Sequence, residues 1–272
     1  MVAPELVRRS SYGVTLLGDP HRPGGVTFGF TERAGGYSTG SFASLNLDAR
    51  FGDKSEVVEK NRRLALKALG AEHLYASLVC PLQVHGDHIV TVGKDRAVED
   101  AQEEARRGAD AIVCVQRDVP VLMCYADCVP VVLTVPGGFA VVHSGWRGTL
   151  LRIAGKALRE LLRASGCVVQ DAQAYVGPHI GVKDYEVSAE IAQSFVDEFG
   201  EDVVAHERHL DLGLAVRRAI TDEGLDPKCI AEVEESTAST VDRFYSYRAE
   251  GKTCGRHGAL ACMVSRMGEV SW

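Results

Sequence analysis

Cys128 and His143 stand at the ends of short apolar runs in the stretch 119–149, VPVLMCYADCVPVVLTVPGGFAVVHSGWRGT. A thiol and an imidazole on neighbouring strand ends suit two chemistries: ligation of a metal, or a Cys/His nucleophile pair. His85, in Gln83-Val84-His85-Gly86, is a third donor where a strand gives way to a turn. A His–Cys–His tripod leaves one position of a tetrahedral zinc open, the pattern of a catalytic rather than a structural site. The three residues are distant in the chain, and spacing alone does not make them meet. The competing reading of Cys128 is a small buried apolar residue, as expected for Cys80, Cys114, Cys124 and Cys262. His85 with His88, and Cys254 with His257, have no completing partners and carry little by themselves.

These side chains need a frame. Around them the apolar runs 119–125, 131–135 and 139–142 read as strands, the last two joined at the turn signal Pro136-Gly137-Gly138. Further strands are expected at 26–30, 75–80, 89–92, 111–115, 172–176, 230–233 and 259–264. Asp53-Lys54-Ser55-Glu56 resembles a capping box and opens a helix to about Leu69, with Gly70 as its stop. Apolar residues at helical spacing predict a helix over 150–164, and others are expected at 188–199 and 210–223. The charged segment 95–107 reads as a solvated helix or loop. Strands follow one another without intervening helices, so the class is α+β, with mixed or antiparallel sheets flanked by helices. No linker, repeat or low-complexity tract appears, and one domain is expected over 1–272.

The bulk numbers narrow the function. A net charge of −7 without a clustered basic run argues against a nucleic-acid partner. The longest apolar region, 119–135, is broken by Pro120, Asp127 and Pro130, which argues against a membrane helix. The start, MVAPELVRRSSYGVTLLG, has no apolar core of signal-peptide length, and eight scattered cysteines fit reduced thiols. A cytoplasmic location follows as the expectation. Gly251-Lys252-Thr253 resembles a P-loop tail, but Ser246 stands where the first glycine is needed. No GxSxG, dinucleotide fingerprint or PCxxC deaminase signature is present.

Two segments suit an anion. Arg33, beside Gly35-Gly36 and Ser38, lies in a loop that either closes on a ligand or is a surface turn. Gly145, Arg147, Gly148 and Thr149 precede the helix expected from 150, whose free N–H groups and dipole favour negative charge.

Taken together, these motifs resemble the multi-copper polyphenol oxidase (laccase-like) family, now regarded as zinc-dependent purine nucleoside phosphorylases. The resemblance spans nearly the whole chain. It rests on T-x-R-x-G-G-x-S at 31–38, Asn46-Leu47, Asn61-Arg62 and Gln83-Val84-His85. It continues through Ala126-Asp127-Cys128-x-Pro130, H-x-G-W-R-G-T at 143–149, Gly177-Pro178-x-Ile180, Tyr185-Glu186-Val187 and F-Y-S-Y-R at 244–248. Two departures fall in the tail: Ser236-Thr237 replaces a Cys-Thr pair, and Cys254 is inserted before Gly255-Arg256.

The resemblance implies zinc held by His85, Cys128 and His143, and a fold related to toxin deamidases and cysteine hydrolases. It implies phosphorolysis of adenosine, inosine, guanosine and methylthioadenosine, plus hydrolytic deamination of adenosine. On that reading the partners are purine nucleosides and phosphate, in a monomer or homodimer. Arg147 and the amides near Gly148 are candidates for phosphate, with Arg33 as a second clamp. Asp127 would orient a ligand or carry a proton; its alternative is capping the strand-end turn. Ser38, Asn46 and Tyr185 are candidates for nucleoside contacts. Copper oxidase chemistry is disfavoured, because nine histidines include no His-x-His. Two other readings stay open: a metal-free Cys–His hydrolase or amidase acting on cell-wall precursors, and a partner protein with a purely structural zinc.

Overall fold

The computed structural model describes residues 2–265, and the domain expected over 1–272 extends past them at both ends. In chain order the elements are β1 (Val7–Ser11), β2 (Val14–Gly18), β3 (Thr27–Thr31), α1 (Ser55–Leu69), β4 (Ile89–Val92), α2 (Val98–Arg107) and β5 (Ala111–Cys114). There follow β6 (Val121–Tyr125), β7 (Val129–Val135), β8 (Gly138–Ser144), α3 (Trp146–Leu150), α4 (Ile153–Ser165), β9 (Gln173–Val176) and α5 (Ala189–Phe199). The chain closes with β10 (Val204–Ala205), β11 (His209–Leu210), α6 (Leu212–Thr221), β12 (Ile230–Glu232), α7 (Tyr247–Glu250) and β13 (His257–Cys262).

Two sheets carry the architecture. The first, in the order β1-β2-β3-β13-β6, is antiparallel throughout. The second, β12-β9-β7-β8-β5-β4, is mixed, with β12/β9 and β5/β4 parallel and the inner pairs antiparallel. The class is therefore the expected α+β.

Strand alternation builds the layers. In β13, Ala259 and Ala261 face the second sheet together with Phe28 and Met123, and Phe139 of β8 meets them from that sheet. Leu260 and Cys262 face the other way, onto Leu66 and Leu69 of α1. In β7, Val129, Val131, Leu133 and Val135 turn towards α4 and α6, while Val132 turns towards the first sheet. The order is α1, first sheet, second sheet, then α4 and α6. Both faces of the second sheet are covered, so β7 and β8 are buried along their whole lengths and read as apolar runs.

Several expectations need correction. The strand expected over 75–80 is instead a 3-10 turn, Glu72–Ser77, followed by a lone bridge from Val79 to Val121. Leu74, Tyr75 and Leu78 pack on the α1 side of the first sheet, and Arg63 of α1 stacks over the Tyr75 ring at 3.9 Å. Packing on α1 thus outweighs the strand propensity of this run. The capping box at Asp53 is not formed: Lys54 is the N-cap, without a side-chain cap bond. Asp53 binds Ser38 Oγ at 2.6 Å and Asn46 Nδ2 at 2.9 Å, tying the glycine loop to the start of α1. The helix expected over 150–164 is two helices, split where Arg152 takes φ +58. The Arg152 guanidinium binds Glu198 and Asp222, which holds the break. Beyond the expected strands, β1 and β2 form an antiparallel hairpin at the edge of the first sheet.

Candidate metal centre and active site

β8 delivers His143. Phe139 and Val141 point between the sheets, so His143 does too, at the end of the strand, with its ring 5.5 Å from that of Tyr125 on β6. Cys128 lies where β6 passes into β7, and Gln83-Val84-His85-Gly86 turns beneath them. The ligand atoms of His85, Cys128 and His143 all lie within 4.8 Å of one another. Folding has assembled the tripod.

Asp110, just before β5, organises both histidines, a role that sequence reading missed. Its carboxylate accepts Val84 N at 3.2 Å, His85 N at 3.0 Å and Gly86 N at 2.8 Å, and it pairs with His143 Nδ1 at 2.7 Å. The three amides wrap the turn around the carboxylate and support His85 at φ +62. Burial alone would raise the Asp110 carboxyl; the His143 bond and the turn amides hold it below the usual carboxylate range. An ionised Asp110 makes Nδ1 the donor and leaves His143 Nε2 free to ligate. Gln83 ties the same turn to β6, donating to Cys124 O at 2.7 Å and accepting Cys124 N at 3.0 Å.

Electrostatics favour a thiolate. Burial would push the Cys128 thiol up, but His143 and His85 offset it and bring it to about 6. Burial would lower His143, yet Cys128 and Asp110 raise it to about 9. Gly145 is required for space: a Cβ there would come within 3.0 Å of the His85 ring and 3.1 Å of Cys128 Sγ. A Cβ at Gly148 would meet Gly86 O at 2.9 Å. The glycines of the S-G-W-R-G motif admit the ligands and the turn. They do not open the long helix expected from 150, because they lie in and before α3, a separate helix of five residues.

The tripod faces a cavity of ≈ 480 Å³ whose wall includes Arg147, Tyr185, Arg248 and Arg256. The arginines are held without carboxylates. Arg147 stacks over Trp146 at 4.3 Å. Arg248 donates to the carbonyls of Asp184 and Glu186 and lies over Tyr185 at 5.1 Å. Arg256 donates to the carbonyls of Cys254 and Gly255 and stacks over Phe51 at 3.7 Å. Among the described residues none of the three makes an ion pair. Only Arg50 on this wall is forked onto a carboxylate, that of Asp48.

Other expected site residues lie elsewhere or do something else. Arg33 is outside the cavity wall; its guanidinium binds Ala43 O, Val241 O and Glu250 and stacks over Tyr245 at 4.2 Å. Ser38 and Asn46 are buried anchors: Ser38 bonds Asp53 and Asn61, and Asn46 accepts Arg256 N at 2.8 Å. They brace the wall from behind. Asp127 does line the cavity, at the unusual φ of +90. Its two oxygens accept Thr237 Oγ1 and Arg248 N, each at 2.7 Å, and its carbonyl accepts Ile180 N at 3.0 Å. The carboxylate binds the tail and not its own strand-end turn, and so latches the tail over the site. Both tail departures are accommodated: Ser236 Oγ accepts Gly181 N, and the Cys254 sulfur accepts from Arg256 at 3.1 Å.

The donor set suits a metal: one thiolate, two imidazoles, and a carboxylate behind one of them. The same atoms without a metal form a Cys–His–Asp array.

Comparison with known proteins adds a family. Residues 27–264 match the family described as multi-copper polyphenol oxidoreductase laccase. A purine nucleoside phosphorylase from Deinococcus radiodurans is 33% identical over 263 residues, covering 95% of this chain and 96% of that protein. An adenosine deaminase, RL5, from an unknown prokaryotic organism is 32% identical, covering 79% of this chain and 86% of that protein. The crystal structure of YlmD from Geobacillus stearothermophilus shares the fold with a TM-score of 0.82 at 28% identity, covering 96% of this chain and 100% of that one.

Proposed function

The chain belongs to the multi-copper polyphenol oxidoreductase laccase family, and from that premise we propose that it is a zinc-dependent purine nucleoside phosphorylase with adenosine deaminase activity. Its relatives' names supply the reaction class. The observation that carries the reading is the juxtaposition of the His85–Cys128–His143 tripod with three arginines that make no ion pair among the described residues. Phosphorolysis needs such a place for a phosphate dianion next to a place that can stabilise a polarised sugar or purine.

His85, Cys128 and His143 would hold zinc, a fit set by one thiolate and two imidazoles. Zinc, when bound, supplies a Lewis acid at the cavity floor. The chain's own groups do the rest. Arg147 and Arg248 bind and orient phosphate, with their charge kept free by aromatic faces and backbone carbonyls. Asp110 holds His143 in one tautomer. Asp127 fixes Arg248 by its backbone N–H. Tyr185, beneath Arg248, offers a ring face to the nucleoside.

Copper oxidase chemistry is disfavoured despite the family's name. Among the described residues the one His-rich donor group has two histidines and a cysteine. The second reading is a metal-free Cys–His hydrolase, which the Cys128–His143–Asp110 array favours; His85, a third donor beside the thiol, argues against it.

The test is incubation of metal-analysed protein with adenosine, with and without phosphate, and chromatography of the products. Adenine and ribose 1-phosphate formed only with phosphate, at one zinc per chain, are expected. Inosine alone would make the chain a deaminase. No turnover of any purine nucleoside, with no metal bound, would move the assignment to the hydrolase.

A further inference from the structure

Two thiols that the proposed reaction does not use lie side by side. Val79 bridges Val121 and Gln83 clamps Cys124, so Cys80 and Cys124 lie on neighbouring segments of one packed cluster, with their side chains facing each other. Cys124, on β6, points away from the sheet interface and donates to Leu47 O at 3.5 Å. Arg62 Nε donates to the same carbonyl at 2.8 Å, which sets a guanidinium beside the pair. Cys124 is also part of the cavity wall, and Cys80 is partly open to solvent. The cavity that Cys124 lines is the approach for a small oxidant.

We propose that Cys80 and Cys124 are a redox modification site, forming a reversible disulfide with peroxide-class oxidants. Cys80 is the attacking thiol. The neighbouring Cys124 side chain holds it below the usual thiol value against burial, and the Arg62 guanidinium adds to this, while the same contact and burial push the Cys124 thiol up. A low thiol with a resolving partner beside it matches the pattern of redox-sensing cysteines. By contrast, Cys114 lies deep in the inter-sheet core, where burial pushes its thiol up to about 12.

The chemistry balances. The Cys80 sulfur attacks one oxygen of hydrogen peroxide, the O–O bond breaks, and Cys80 becomes a sulfenic acid as one water is released. The Cys124 sulfur then attacks the Cys80 sulfur; the S–S bond forms, and the sulfenic oxygen leaves as a second water with the Cys124 proton. Two thiols lose two electrons and two protons, and one peroxide is reduced to two waters. The new bond joins the segment leading to His85 with the strand leading to Cys128. Gln83 already clamps these two segments.

The experiment treats the protein as purified with one equivalent of hydrogen peroxide. Remaining thiols are alkylated in denaturant and peptides are mapped without reduction. The alkylated thiols should fall by two from the eight of the reduced chain. A peptide linking Cys80 to Cys124 should appear, and dithiothreitol should abolish it. Cys80→Ser and Cys80→Ala, each checked for native circular dichroism, should form no such link and leave Cys124 alkylated; Cys114→Ser should form it as the parent does. Cys80 sulfinic acid without the link overturns the proposal. So does oxidation of Cys128 ahead of the pair, or a link from Cys80 to any other cysteine.

Discussion

The floor and the wall of the cavity handle charge in opposite ways. On the floor every charge has its partner: Asp110 answers His143 and three turn amides, and the Cys128 thiolate lies against two imidazoles. On the wall, Arg147, Arg248 and Arg256 are held by rings and carbonyls and keep their charge. Buried charge is costly unless paired. A floor satisfied in advance is preorganised for a fixed occupant, while a wall left positive is completed by an anion that comes and goes. Geometry at the floor and affinity at the wall should therefore separate under mutation.

The largest effect should come from the floor. Cys128→Ala or His143→Ala should abolish both metal retention, read by elemental analysis, and turnover; full activity in either would remove the tripod from the mechanism. Gly145→Ala should do nearly as much with the fold intact, because the added methyl meets His85 and Cys128 Sγ. Asp110→Asn should weaken metal binding by about 10–100-fold in a chelator competition, since it disturbs the histidines without removing a ligand. Wall variants should act differently: Arg147→Met should raise the phosphate KM by about tenfold, the worth of one charge-assisted hydrogen bond, with metal content unchanged. If metal content falls with it, floor and wall are not separable.

The smallest perturbation is of pH alone, on metal-stripped protein. The thiolate–imidazolium pair should persist between about 6, where the Cys128 thiol takes up a proton, and about 9, where His143 loses one. Iodoacetamide labelling of Cys128 should therefore rise with a midpoint near 6. In His143→Ala that midpoint should move up, because the attraction of the imidazolium is gone while burial still favours the thiol.

What was legible in the chain depended on local pattern. The runs that became β6, β7 and β8 were readable because both faces of each strand are apolar and Pro136-Gly137-Gly138 ends β7, with Gly137 at φ +74. His85, Cys128 and His143 were readable as donors at strand ends. Asp110 stands just before the strand expected at 111–115 and has no local pattern that marks it. Its role exists because β5 pairs with β8 and carries the carboxylate to His143. Arg33, beside two glycines, looked like the anion residue; a tail more than two hundred residues later takes up its guanidinium instead. The run 75–80 failed as a strand for the same kind of reason, since its neighbour is α1.

The sequence by itself determined which residue types could ligate, where the central apolar strands β6, β7 and β8 run, and that mixed or antiparallel sheets are flanked by helices. These follow from side-chain chemistry and short-range periodicity. Only the tertiary structure decided which arginines stay unpaired, which carboxylate orients the ligands, and which two of eight thiols touch. Those properties belong to pairs of residues distant in the chain, and a linear pattern does not encode which pair will meet.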